Sequence, residues 1–245
     1  MRVNDGGADY NYERFSFALE DGAFERWQAE SPALGQEAPD FELADLDGER
    51  HRLSDLRGHP VVLEFGSYTC PIFCAQIPPM EDLTRRHDEV SFLVIYTREA
   101  HPGEITPAHR RNADKLAAAS RLAQEEHLGR TVLVDDIAGA VHAAYGRAWD
   151  AVFVLDSEGR VVLRRAWNDP GQLGAVLSAM AAGELSDPFE SVDMTSVVGR
   201  GGFGHGLLRG GASALFDFYN SAPPPVRERL KTSESEDVRR ILEDA

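Results

Sequence analysis

Ten residues constrain this chain more than any others: Phe65-Gly66-Ser67-Tyr68-Thr69-Cys70-Pro71-Ile72-Phe73-Cys74. They are entered through an apolar run, Val61-Val62-Leu63-Glu64-Phe65, that reads as a buried strand. After a short turn come Cys70, Pro71 and a segment of helical character reaching about His87, with Ile77, Met80 and Leu83 on one face. Proline suits a first helical position, whose N–H has no intrahelical partner. Pro78 and Pro79 are expected to kink this helix or delay its regular part to about Cys74. A cysteine at a helix N-terminus meets unpaired N–H groups and the positive end of the dipole, both of which favour thiolate over thiol. Strand, thiol, helix start is the layout of a redox-active cysteine. The 245-residue chain has two cysteines, and both lie in this stretch. That excludes a disulfide-built scaffold and, in a reducing compartment, points to catalysis or redox sensing.

The rest of the chain reads around this centre. Residues 1–36 are a polar leader carrying Phe15, Phe17, Leu19, Phe24 and Trp27. Residues 12–29 are expected as one short helix that covers an exposed edge. Residues 37–183 form the main domain. Two short strands flank Asp47-Gly48, then one helical turn is capped by Ser54. Strands follow at 61–65, 91–96, 131–134 and 151–156, with a hairpin return at 161–164. Helices are expected at 109–127, with Leu116, Ala119 and Ala123 on its face, at 137–145 and at 172–182. Strands alternating with helices, closed by a hairpin and a helix, describe an α/β fold. It is a thioredoxin-like mixed sheet flanked by helices, with an N-terminal leader and a helical C-terminal extension. In residues 184–245, Gly199–Gly206 reads as a glycine-rich linker, Leu215 to Tyr219 as a short helix, Pro223 to Pro225 as a stiff break, and the end as two short charged helices.

Composition narrows the function classes. A formal charge of -16 argues against nucleic acid and anionic membrane surfaces as partners. No run of 18 apolar residues is present, and the first residues lack an apolar signal region, so a cytoplasmic protein is expected.

Several residues accompany Cys70 as candidates. Cys74, four residues on, shares its helix face and is either a resolving cysteine or a packed helix residue. His101 and His109 flank the loop after the second core strand, at the same strand ends as the Cys70 turn. A histidine there can hold a thiolate or deliver a proton. Glu99 precedes His101 by two residues and can orient it. Ser67 and Thr69 can donate hydrogen bonds to a thiolate or oxyanion, or satisfy turn backbone. No metal ligand set and no bound cofactor are expected.

Two of these stretches, Gly66-Ser67-Tyr68-Thr69-Cys70-Pro71-Ile72-Phe73 and Tyr96-Thr97-Arg98-Glu99-Ala100-His101-Pro102, resemble the iodothyronine deiodinase family of the redoxin branch. By that resemblance Cys70 stands where the family has selenocysteine. His101 and His109 match its two histidines, and Glu99 its acidic residue. The resemblance implies a thiol-dependent oxidoreductase acting on a halogenated aromatic or another small electrophile, with an external thiol reductant such as thioredoxin or glutathione. The chain departs from the family at Ala151, where an arginine is expected, and at Gly103-Glu104-Ile105-Thr106; Cys74 is extra. Two alternatives remain: a peroxiredoxin-like thiol peroxidase, and a copper-binding or scaffolding thioredoxin-fold module. A homodimer through the C-terminal tail is a further expectation.

Overall fold

The leader is not one helix. Phe17–Glu20 is a 3-10 turn, and Ala23–Glu30 (α1) starts afresh after Gly22 at φ 67. A left-handed residue cannot sit inside an α-helix, so Gly22 divides the segment. The structure, a computed structural model, describes residues 10–183, 198 and 201–244.

Glu42–Asp45 (β1) and Arg50–Arg52 (β2) form the hairpin expected around Gly48. Ser54 lies inside the following 3-10 turn rather than capping it, and its hydroxyl donates to Asp40 at 3.0 Å. Val61–Gly66 (β3) is buried along its whole length, as an unbroken apolar run requires of a strand covered on both faces. Pro71–Arg86 (α2) begins at Pro71, with Pro78 and Pro79 inside it. The first turn is already closed by Cys74 N–H donating to Cys70 O at 3.0 Å, so the later prolines do not delay it.

Ser91–Tyr96 (β4) and Thr131–Val134 (β5) lie where expected. Between them, Asn112–Glu125 (α3) starts later than 109, because Asp114 turns back to accept the N–H groups of Arg110 and Arg111, both at 3.1 Å. Its buried face is Lys115, Ala119 and Leu122, while Leu116 is exposed. Ala140–Ala144 (α4) starts only after the left-handed Gly139. Val152–Leu155 (β6) and Val161–Arg165 (β7) form the return hairpin, and Pro170–Ala181 (α5) closes the domain, capped by Asp169.

The seven strands run in the order β2-β1-β5-β4-β3-β6-β7. β3, β4 and β5 are parallel; β6, β7, β1 and β2 are attached antiparallel. This is the thioredoxin-like layout expected. One sheet face buries Leu63, Phe65, Ile95 and Phe153 against Trp27 of α1 and Tyr145. The other face buries Val62 and Val154 under α2 and α5.

The C-terminal part corrects the linker expectation. Among its described residues, Gly201–Gly210 is a helix (α6), followed by Ala212–Ser221 (α7), Pro224–Lys231 (α8) and Glu236–Glu243 (α9). Residues 199–200 of the expected linker lie outside the described residues. The glycines serve close packing instead of flexibility. A Cβ on Gly202, Gly206 or Gly210 would stand 3.1 Å from Ala75 Cα, 2.6 Å from Pro71 Cα and 2.3 Å from His101 O. Four-residue spacing puts all three on one face, against α2 and the His101 loop. Phe203 and Leu207 of the same helix are buried in the core.

Candidate active site

Cys70 is the N-cap of α2, at the end of the turn that leaves β3. Its Sγ lies 3.9 Å from the carbonyl of Trp149, and the N–H groups of Ile72 and Phe73 act on it from the helix start. The sequence predicts a thiolate here. The structure corrects that: burial, reinforced by Asp150, pushes the thiol well above its ordinary range despite those two N–H groups. A helix terminus is worth at most about 2 kcal/mol. Full burial can move a pKa by about 3–5 units, equivalent to several kcal/mol, and wins.

Glu99 is the hub beneath the Cys70 turn. It accepts from Thr69 N at 2.8 Å, from Thr69 Oγ1 at 2.6 Å and from the Tyr96 hydroxyl, and its Oε1 lies 3.0 Å from His109 Nε2. Burial opposes its charge, but His109, Thr69 and Tyr96 together hold the carboxyl below the usual carboxylate range. Tyr96 Oη also accepts from Tyr68 N at 3.1 Å. The Thr69 hydroxyl accepts from His101 N, and Ser67 Oγ accepts from Ala100 N. Glu99, Ser67 and Thr69 thus lock the Cys70 turn to the His101 loop through backbone groups.

The sequence assigns Glu99 to orienting His101; its carboxylate goes to His109 instead. The His101 ring is held by aromatic contact, its centroid 4.2 Å from that of Phe15 and 5.3 Å from that of Phe218. Its Nδ1 is buried without a hydrogen-bond partner. Burial lowers its pKa to about 3, with Glu99 opposing, so the ring is neutral at physiological pH.

Cys70 and His101 line one cavity of about 100 Å³. The leader contributes Phe15 and Phe17 to its wall, the tail contributes Phe203 and Phe218, and the domain contributes Trp149 and Trp167. The leader therefore lies across the Cys70 end of the sheet rather than along an edge. Tyr12 Oη donates to Ala100 O at 2.6 Å and accepts from Trp149 Nε1 at 3.0 Å. Arg14 then joins the leader to Asp217 of α7, Nε to Oδ2 at 2.8 Å.

Cys74 is turned to other partners. Arg209 of α6 places Nη1 3.0 Å from Cys74 Sγ and donates to Tyr68 O at 3.3 Å, with its guanidinium 4.4 Å over the Tyr68 ring. Burial raises the Cys74 thiol to about 12, with Arg209 opposing the rise. Sequence reasoning missed Arg209, which lies in the glycine-rich stretch, and Phe15 and Phe218, which carry no motif. It also missed the buried chain Asp150, Asn168, Glu64 and Arg130. Burial and the nearby Glu64 push the Asp150 carboxyl well above the usual range. Glu64 was legible as a lone acid in an apolar strand.

The profile of the family described as iodothyronine deiodinase matches residues 22–168. The chain belongs to the iodothyronine deiodinase family. Among its relatives, the thyroxine 5-deiodinase of Homo sapiens is 34% identical over 136 residues, covering 50% of this chain and 44% of that protein. The thyroxine 5-deiodinase of Aquarana catesbeiana is 37% identical over 145 residues, covering 54% and 53%. The type I iodothyronine deiodinase of Xenopus laevis is 32% identical over 157 residues, covering 60% and 58%. The chain thus spans about half the length of these deiodinase relatives. Among solved structures, an uncharacterized conserved protein from Geobacillus kaustophilus superposes with a TM-score of 0.53 at 21% identity, covering 65% of this chain and 87% of that one. A hypothetical protein from Sinorhizobium meliloti does so with a TM-score of 0.53 at 20% identity, covering 65% and 90%. Both carry the same fold. Among the described residues, no helix is long and apolar enough to cross a membrane.

Proposed function

We propose that the protein is a thiol-dependent reductive dehalogenase in which Cys70 takes iodine from an aromatic ring. The observation that carries this reading is that Cys70 and His101 line one aromatic-walled cavity. In the first step the Cys70 sulfur bonds to iodine as the carbon–iodine bond breaks. The thiol proton ends on the ring carbon, relayed by His101, giving deiodinated ring and a Cys70 sulfenyl iodide. A first external thiol displaces iodide and forms a mixed disulfide, releasing a proton; a second thiol releases the disulfide product and restores Cys70. Two thiols are oxidised and one carbon–iodine bond is reduced. Glu99, Thr69 and Ser67 are positioning residues for this site, and His109 stabilises Glu99.

The external thiol is assigned the resolving step because Cys74 Sγ is held by Arg209 and faces Tyr68 O. The same cation beside Cys74 weighs against two-thiolate copper binding. The test is iodide release from an iodinated phenol with dithiothreitol as reductant. Wild type and Cys74→Ser are expected to turn over and Cys70→Ser not to. Equal release by Cys70→Ser, or none by wild type across a panel of iodophenols, would defeat the reading.

A further inference from the structure

Three chain segments meet around Cys70, each tied to a different strand. The Cys70 turn follows β3, the His101 loop follows β4, and Trp149 stands shortly before β6. Trp149 faces the site twice: its carbonyl lies 3.9 Å from Cys70 Sγ, and the residue lines the cavity. The leader supplies a group that joins these segments. Tyr12 Oη accepts from Trp149 Nε1 at 3.0 Å and donates to Ala100 O at 2.6 Å. Ala100 N in turn donates to Ser67 Oγ at 3.1 Å, inside the Cys70 turn. One hydroxyl thus continues a line of hydrogen bonds from Trp149, through the residue before His101, to the Cys70 turn.

The residue type is matched to this task. An indole N–H only donates and a carbonyl only accepts, so a group between them must do both, as a hydroxyl does. Arg98 holds the Tyr12 ring in place, its guanidinium 5.1 Å from the centre of that ring and 5.6 Å from the centre of the Trp149 ring. Trp149 and Ala100 are both buried. A buried polar group deprived of its partner costs more than the bond itself contributes. The match to the family profile begins at residue 22, so this link comes from a part of the chain that the match does not cover.

We propose that Tyr12 is a positioning residue of the Cys70 site, its hydroxyl setting the Trp149 and His101 segments against the Cys70 turn. Tyr12 is not among the residues lining the cavity; it acts through Trp149 and Ala100. Without the hydroxyl, the Trp149 indole N–H must turn to another acceptor. The carbonyl of the same residue, which lies against Cys70 Sγ, then moves with it. The inference rests on the dehalogenase reading for turnover alone; the placement of Trp149 and the reactivity of Cys70 are read without it.

The test is Tyr12→Phe in the full-length chain, which keeps the ring beside Arg98 and removes only the hydroxyl. Asn11→Ala is the control: it removes a neighbouring anchor of the leader, Nδ2 to Ile137 O at 2.7 Å, that reaches neither Ala100 nor Trp149. In proton–nitrogen correlation spectra, the Trp149 indole signal is assigned by its loss in Trp149→Phe. It is expected to be protected from exchange in wild type and in Asn11→Ala, and to shift and exchange faster in Tyr12→Phe. Cys70 labelling by iodoacetamide, followed in the Cys74→Ser background, is expected to quicken in Tyr12→Phe beyond the control. With an iodinated phenol, kcat is expected to fall by about tenfold with KM little changed. In a Trp149→Phe background, where no indole N–H needs an acceptor, the same change is expected to cost no more than about twofold. Labelling equal to that of the control, or equal losses of kcat in the two backgrounds, would overturn the inference. So would a freely exchanging Trp149 indole in wild type, a readout that holds even if Tyr12→Phe does not fold. No iodide release by wild type would defeat the dehalogenase reading, and the indole signal and the labelling would then decide this inference alone. Iodide release at the same rate by wild type and Tyr12→Phe would support that reading and overturn this one.

Discussion

Gly206→Ala tests whether α6 is seated on the start of α2 as tightly as its glycines imply. In a free helix this change stabilises by about 1 kcal/mol. Here the new Cβ would stand 2.6 Å from Pro71 Cα and 3.2 Å from Cys70 O, both backbone atoms that cannot swing aside. Restoring ordinary contact requires α6 to back away by about 1 Å. Phe203 and Leu207, buried on the same helix, would move with it. Overpacking of this kind costs about 1–3 kcal/mol, and the rigid backbone neighbour puts Gly206 at the upper end. Net of the propensity gain, a loss of about 1–2 kcal/mol is expected, a fall in Tm of roughly 2–8 °C for a chain of this size. Gly171→Ala is the control, since its Cβ would meet only Asp169 Oδ1 at 3.2 Å. Thermal unfolding reads stability, and iodoacetamide labelling reads whether Cys70 has become more accessible. A Gly206→Ala variant as stable as the control, with Cys70 labelled at the wild-type rate, would refute the packing argument.

Three further outcomes follow from the site. Phe15→Ala admits water to the cavity, so the two burial shifts should shrink in opposite directions: Cys70 alkylation moves to lower pH, and the His101 pKa rises from about 3 toward 6.5 in NMR titration; two unchanged values would show that the leader does not set the dielectric. Glu99→Gln replaces a buried carboxylate that accepts from Thr69 and Tyr96 by a neutral amide, at a cost of about 1.5–3 kcal/mol. Because the Glu99 pKa is lowered, its contribution is complete above its ordinary value of 4.5 and is lost as pH falls through the folded-state value, so acid unfolding of the variant should depend less on pH below that point; identical acid profiles would contradict this. Arg209→Leu takes the guanidinium from Glu126 and leaves Tyr68 O with only the weak Cys74 thiol donor at 3.5 Å, and should cost about 1–3 kcal/mol in urea unfolding; an unchanged midpoint would mean that Arg209 does not fasten the tail.

The domain was legible because its signals are local. Val61 to Phe65, the Phe92 to Tyr96 run and the Cys70-Pro71 helix start each announce an element within a few residues. Cys70, Glu99, His101 and His109 were legible as a group because motif spacing brings their loops to one end of the sheet. What could not be read was long-range. Arg209 reaches Cys74 across 135 positions, and Arg14 reaches Asp217 across 203; no periodicity encodes such pairs. The glycines of α6 misled for a physical reason: the composition of a flexible linker is also that of a helix pressed against a backbone. Thiolate character at Cys70 was misread because the sequence displays the helix start but not the burial.

Burial at Cys70 is also what joins the two extensions to the chemistry. Without Phe15, Phe17, Phe203 and Phe218, the Cys70 turn would open onto water, as a bare strand-turn-helix does, and the helix N-terminus would govern the thiol. With them, the dielectric falls, the dipole is outweighed and both Cys70 and His101 rest uncharged. A neutral thiol is a poor target for stray oxidants, since the thiolate is the reactive form. For the dehalogenation proposed above it is also a suitable resting state, because there the ring carbon gains the proton that sulfur loses. The leader and the tail thus do more than cover the Cys70 turn: by excluding water they hold both Cys70 and His101 uncharged, which is the protonation state from which the proposed reaction would start.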